Sequence, residues 1–235
     1  MNARRLLSLA AGLMSTCALT APGGAAAEPP PKVQIPQPGV PQIMTLEGRY
    51  IRAAYNNEGY VILGYRIANS SVGDKWMLLE VGFSLRDGVP SYELTRDALS
   101  LSTPDGQTLA LPSVEEYRMV NLEALQKRAN VQRDSINYFP PNATQACRVG
   151  FFSDVGQIAM PWDQVELSDQ RGCVGRLYFQ VPGGIAYGQH WLNVKFAKSV
   201  VRVPFRILTK DEDRLLDKNY KAIEKQVEDA FKKKS

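Results

Sequence analysis

Histidine is nearly absent: His190 alone serves a chain of 235 residues. A serine–histidine–acid triad has one residue to be built on, and no Gly-x-Ser-x-Gly nucleophile elbow accompanies it. His190 opens the run GQHWLNVKF beside Trp191 and reads as structural. Cysteine is scarce, at three residues. With so few soft donors, and no ligand spacing, a zinc site has nothing to form on. Asp105-Gly106 and Asp211-Glu212-Asp213 read as a turn and a helix start rather than as calcium ligands. There is no glycine-rich phosphate loop, since Pro182-Gly183-Gly184 is followed by no helix start. Carboxylate pairs for glycoside hydrolysis are set by the fold, and nothing in the sequence singles one out. We therefore expect a protein that is not an enzyme, with no catalytic residue, no metal and no cofactor. Beyond the N-terminus no apolar run is long enough to span a bilayer. The formal charge is +4 without a long basic cluster. The terminal Lys-Lys-Lys-Ser suits a helix C-terminus, so no nucleic-acid partner is expected.

What is present begins with a leader. Arg4 and Arg5 precede an apolar stretch from Leu6 to Thr16, and Ala25-Ala26-Ala27 offers a cleavage site before Glu28. Residues 1–27 read as a signal peptide, which predicts an exported, periplasmic or extracellular protein. A lipoprotein signal is the minor alternative. Cys17 follows the apolar stretch, but Thr16 fits poorly in front of a lipidated cysteine. With the leader removed, Cys147 and Cys173 remain. In an oxidising compartment they are expected to form one structural disulfide.

Residues 28–43 carry six prolines by Pro41 and read as an extended spacer. Residues 44–208 then show short apolar or alternating runs closed by Gly, Pro, Asp or Ser. Strands are expected over 44–55, 60–68, 75–86, 99–102, 107–111, 148–152, 164–167, 175–181, 190–196 and 200–207. The dense run 75–86 is assigned to the centre of a sheet. Asp105-Gly106 signals a hairpin, and Pro204 demotes the last strand to an edge or a bulge. Ser113 with Glu116 forms a capping box opening a helix from Val114 to about Ala129, within a helical insertion of about residues 113–134. Residues 209–235 form a second helix, capped by Thr209 and Glu212. Its residues Leu216, Tyr220, Ile223, Val227 and Phe231 fall on one narrow apolar face. That face either packs on the chain's own sheets, binds a partner protein or mediates self-association.

Regular short strands and one long-range disulfide point to an antiparallel β-sandwich of immunoglobulin-like type. Here the chain resembles a family. The runs GYVILGYRIANSSVGDKWMLLEVGFSLRDG and LSLSTPDGQTLALPS, with the later GRLYFQVPGG, look like the telokin-like, immunoglobulin-fold domains of exported bacterial proteins. The resemblance spans roughly residues 46–207 outside the insertion. It implies an exported domain that binds other proteins, here an unidentified envelope or secreted protein. A second reading starts from the aromatics. Trp76, Trp162 and Trp191, with Tyr178 and Tyr187, are a set from which a glycan-stacking platform could be drawn. Trp162 and Trp191 would be its stacking residues in a carbohydrate-binding module. Trp162, in Met160-Pro161-Trp162-Asp163, is the one expected to be exposed.

Overall fold

The computed structural model describes residues 42–153 and 160–232, with side chains described as far as Ala222. The expected signal peptide and all but the end of the proline-rich spacer lie outside the described residues. In chain order the elements are β1 (Ile43–Gly48), β2 (Ile51–Tyr55), β3 (Gly59–Gly64), α1 (Arg66–Asn69), β4 (Trp76–Leu85), β5 (Tyr92–Thr95) and a 3-10 turn (Arg96–Ala98). Next come β6 (Leu99–Ser102), β7 (Thr108–Ala110), α2 (Val114–Arg118), α3 (Glu123–Val131), β8 (Gln145–Val149) and β9 (Gln164–Leu167). The chain ends with β10 (Arg171–Gln180), β11 (Gly188–Lys195), β12 (Val200–Ile207) and α4 (Lys210–Lys232).

The fold is mainly β. One sheet has the order β1-β2-β3-β4-β10-β8, a second β12-β11-β6-β7, and β5 pairs with β9. Alternation along the strands decides what is buried. On β11, His190, Leu192 and Val194 point inward while Trp191 and Asn193 point out. Leu192 and Val194 join Val61, Val81 and Phe83 of the six-stranded sheet in one shared core. Polar contacts tie the sheets together at their turns. The Asn56 side-chain amide donates to the Ser199 hydroxyl at 2.9 Å, and Glu58 accepts the Lys198 N–H at 3.0 Å and the Ser199 hydroxyl.

All ten residues of β4 are buried, as its dense apolar run requires. One face meets the shared core. The other is crossed by a strap, residues 134–139, whose Ile136 and Phe139 pack with Ile51, Ala53 and Ile62. Two glycines make this possible. A Cβ on Gly82 would stand 2.8 Å from the Phe139 ring, and one on Gly172 would stand 3.0 Å from it.

Several expectations change. The run 44–55 is two strands, because the chain turns back at Arg49-Tyr50 and Tyr50 becomes buried. The run 60–68 ends as a strand at Gly64, and its tail winds into α1 with Ile67 and Ala68 buried. An apolar run that short carries no period to separate the two states. The expected helix 114–129 has its capping box at Ser113–Glu116 but breaks after Arg118. Asn121 accepts the Glu123 N–H at 3.0 Å and starts a second helix, which buries Leu125 and Ala129. The strand expected over 148–152 lies at Gln145–Val149, and it runs parallel to β10. The antiparallel expectation therefore fails at this pair. The disulfide Cys147–Cys173 forms as expected, but between these two neighbouring strands of one sheet. Strand β5 had no expectation. Pro204 sits on β12, an edge of its sheet, as anticipated.

Candidate functional site

The base of α4 is where the most charged side chains converge. Thr209 and Glu212 cap the helix reciprocally: the Thr209 N–H donates to the Glu212 carboxylate at 2.9 Å, and the Glu212 N–H to the Thr209 hydroxyl at 3.3 Å. The turn between β1 and β2 then presents Arg49 and Tyr50 to the first two turns. Arg49 meets Asp213 at 3.1 Å and Asp217 at 2.7 Å, and the Tyr50 hydroxyl donates to Asp213. Arg206 holds Glu212 at 2.8 Å. The Arg66 guanidinium lies over the Tyr50 ring at 4.9 Å and pairs with Asp134 at 2.7 Å. Burial, with the bond to Asp213 adding to it, pushes the Tyr50 phenol up from its ordinary value. The hydrogen bond to Asp134 raises Arg66 further still.

Of this cluster, Tyr50, Arg66, Asp134 and Asp213 line an open cleft of about 740 Å³, together with Arg133, Tyr187 and Lys210. Its acids are already engaged by arginine. Of its cations, Lys210 has no described ion pair and Arg133 reaches toward Glu80 on the far side of the strap. On that side a smaller cleft of about 350 Å³ holds Glu80, Arg133, Arg148 and Arg176 over an apolar floor of Ile136, Val149 and Phe152. Burial raises the Glu80 carboxyl above its ordinary value, while Arg176, Arg133 and the backbone N–H of Asp134 pull it back. Both clefts therefore border the strap, which holds Glu80 with its backbone and Arg66 with its Asp134 carboxylate. Among the described residues no group of three or more His, Cys, Asp or Glu is placed to hold a metal ion.

The expected site residues are dispersed. On the helix face, Leu216 is half-buried and Tyr220 exposed, while the side chains of Ile223, Val227 and Phe231 lie outside the described residues. Trp162 is 55% exposed and lies against Gly150, next to β8. Trp191 belongs to the other sheet, half-buried, with Arg202 over its ring at 5.0 Å. Trp76 and Tyr178 are buried, and Tyr187 is exposed on the rim of the larger cleft. His190 is fully buried and stacked on Phe205. Its Nδ1–H donates to the Gly188 carbonyl at 3.0 Å, and its Nε2 is buried without a hydrogen-bond partner. Burial lowers its pKa. Arg49, Tyr50, Arg66 and Glu80 were not anticipated. The one available signal was Asp211-Glu212-Asp213, three acids in a helix that also calls for basic partners elsewhere. Among the described residues no helix is long and apolar enough to cross a membrane. No family model, curated protein or solved structure matches this chain.

Proposed function

We propose that this is an exported, non-catalytic β-sandwich of immunoglobulin-like type, similar to the telokin-like domains, that binds another envelope or secreted protein. The sandwich reading draws on the core shared by the six- and four-stranded sheets. The parallel β8–β10 pair and the disulfide within one sheet are its departures from a standard immunoglobulin domain. Export is supported by the leader and by a disulfide, which persists in oxidising compartments.

The observation that carries partner binding is the way α4 is held. Its described polar ties to the sheets come from Glu212, Asp213 and Asp217, all in the first turns. Of the stripe's described residues, Leu216 is half-buried and Tyr220 is 42% exposed, and Leu215 beside it is 60% exposed. Exposed apolar side chains on a helix face are what a partner's groove takes up. Cross-linked capture from envelope extract, comparing the exported chain with one ending at Leu208, tests this. A specific partner lost with the tail is the expected result. A partner retained without the tail moves the site to the sheets. Capture of nothing by either form sinks the reading and turns attention to glycans, where quenching of Trp162 fluorescence is the readout.

A further inference from the structure

We propose that the open edge of the six-stranded sheet, strand β1, docks a second copy of this chain by antiparallel β1–β1 pairing centred on Thr45. The proposal rests on the reading of the protein as a binding module and assigns one surface to that role.

Backbone alternation decides which groups face the edge. The Asn56 N–H donates to the Gly59 carbonyl at 3.1 Å, and the Tyr65 N–H to the Tyr50 carbonyl at 3.0 Å. These bonds fix the phase of the β2–β3 ladder, so Arg52 and Ala54 bond toward β3 while Ala53 and Tyr55 bond toward β1. Ile43 stands opposite Tyr55 and Thr45 opposite Ala53, and they answer those groups. The N–H and C=O of Met44 and Leu46 are left pointing to the outer side of β1, where no strand pairs among the described residues. Their side chains are 48% and 76% exposed, and Ile43, the first residue of β1, is 54% exposed.

The other edges of the six- and four-stranded sheets carry blunting features. On β12 the Gln42 side-chain amide takes both outward backbone groups of Arg202, at 2.6 and 2.8 Å. Two residues on, Pro204 has no N–H to offer. Strand β7 has three residues. Beside the end of β8, the Trp162 N–H takes the Gly150 carbonyl at 2.8 Å. In β1, Ile43 to Leu46 contain no proline, lysine or arginine, and the register break falls beyond them, between Leu46 and Gly48. An apolar edge of this kind is one that proteins pair or protect.

Self-complementarity selects the occupant. Turned about Thr45, Met44 meets Leu46 of the second copy, and both are positions whose backbone groups already face outward. Reciprocal N–H···O bonds then close on either side of the axis, with apolar side chains directly opposed. Ile43 meets Glu47, so no like charges face each other. The chain's own upstream stretch is a poor substitute, because Pro36, Pro38 and Pro41 remove the donors a strand needs.

The test is the oligomeric state of the purified exported chain by sedimentation, with Leu46→Lys as the variant. Leu46 is too exposed for the change to disturb folding, and an unchanged melting curve will show this. A dimer that weakens at least tenfold in Leu46→Lys is expected. Register is read by cysteine pairing. Thr45 and its mate form a non-hydrogen-bonded pair about 4.5 Å apart at Cα, within disulfide range. Oxidised Thr45→Cys should therefore run as a covalent dimer, and Ile43→Cys, which faces Glu47, should not. A wild-type chain that stays monomeric to its solubility limit overturns the proposal. So does a dimer indifferent to Leu46→Lys, or one in which Ile43→Cys cross-links as readily as Thr45→Cys. A monomer that still captures a partner through α4 would overturn self-pairing and leave the binding function standing.

Discussion

The strap at residues 134–139 and the helix α4 both lie outside the two sheets, yet the surfaces that receive them differ in kind. Beneath the strap the sheet is hollowed by Gly82 and Gly172, and the Phe139 ring fills the hollow. Beneath α4 it offers Arg49 and Tyr50, which hold Asp213 and Asp217 through ion pairs and a hydrogen bond. Apolar interlocking is short-ranged and indifferent to salt. Ion pairs between partly exposed side chains contribute modestly and are weakened by salt. The strap is thus part of the folded core, whereas the described ties of α4's first turns are polar.

The largest expected effect breaks the strap. Phe139→Ala removes the ring and leaves the hollow above Gly82 and Gly172 unfilled. The cost should be about 3 kcal/mol, at the low end for a phenylalanine because Phe139 is only partly buried. Urea unfolding measures it. The matched change on the helix, Tyr220→Ala, should fall within about 0.5 kcal/mol of wild type. Equal losses at the two sites would erase the distinction between them.

A smaller effect comes from the carboxylate under the strap. Burial holds Glu80 above its ordinary value despite Arg176 and Arg133. Its folded pKa therefore lies above its unfolded one. The stability this contributes is fully present below the unfolded value, about pH 4.3, and is lost as pH rises through the raised folded value. Glu80→Gln keeps an acceptor for the Asp134 N–H and cannot ionise. Thermal midpoints of wild type and variant should therefore move in favour of wild type as the pH falls from neutrality toward that of an ordinary glutamate. A gap between them that stays constant with pH would show that Glu80 does not titrate in an altered environment.

What the sequence made legible followed from patterns local to a few residues. The dense run WMLLEVGFSL marked a central strand, Asp105-Gly106 a hairpin, Ser113 with Glu116 a helix start and Pro204 an edge. What escaped depends on residues far apart. Gly82 and Gly172 look like strand defects until Phe139 arrives from another segment. Arg49 and Tyr50 look like strand residues until Asp213 arrives from a helix more than 160 positions away. The parallel pairing of β8 with β10 escaped for the same reason: the two strands are joined through a long connection, and no local rule sets their direction. The disulfide was legible as a pair, because assigning Cys17 to the leader leaves two cysteines and one pairing, but not as a bond between neighbours in one sheet.

Removing the helix altogether should also cost far less than emptying the hollow under the strap. A chain ending at Leu208 loses α4 and its ties to Arg49, Tyr50 and Arg206, but keeps Phe205 and Ile207, which face inward from β12 into the shared core. Its thermal midpoint should drop by no more than about 3 °C, since a loss near 1 kcal/mol shifts a domain of this size by only a few degrees. Amide exchange supplies the finer test. In the full chain, protection in α4 should be strongest in the turns around Glu212 to Asp217 and fade toward the C-terminus. Arg49→Ala should weaken it there without changing protection in β4. High salt should act in the same direction, because the anchor is ionic. A truncated chain that melts far lower, or an α4 protected along its whole length and indifferent to salt, would mean that the stripe running on from Leu216 packs against the chain's own sheets. A partner could then reach it only after that packing had opened.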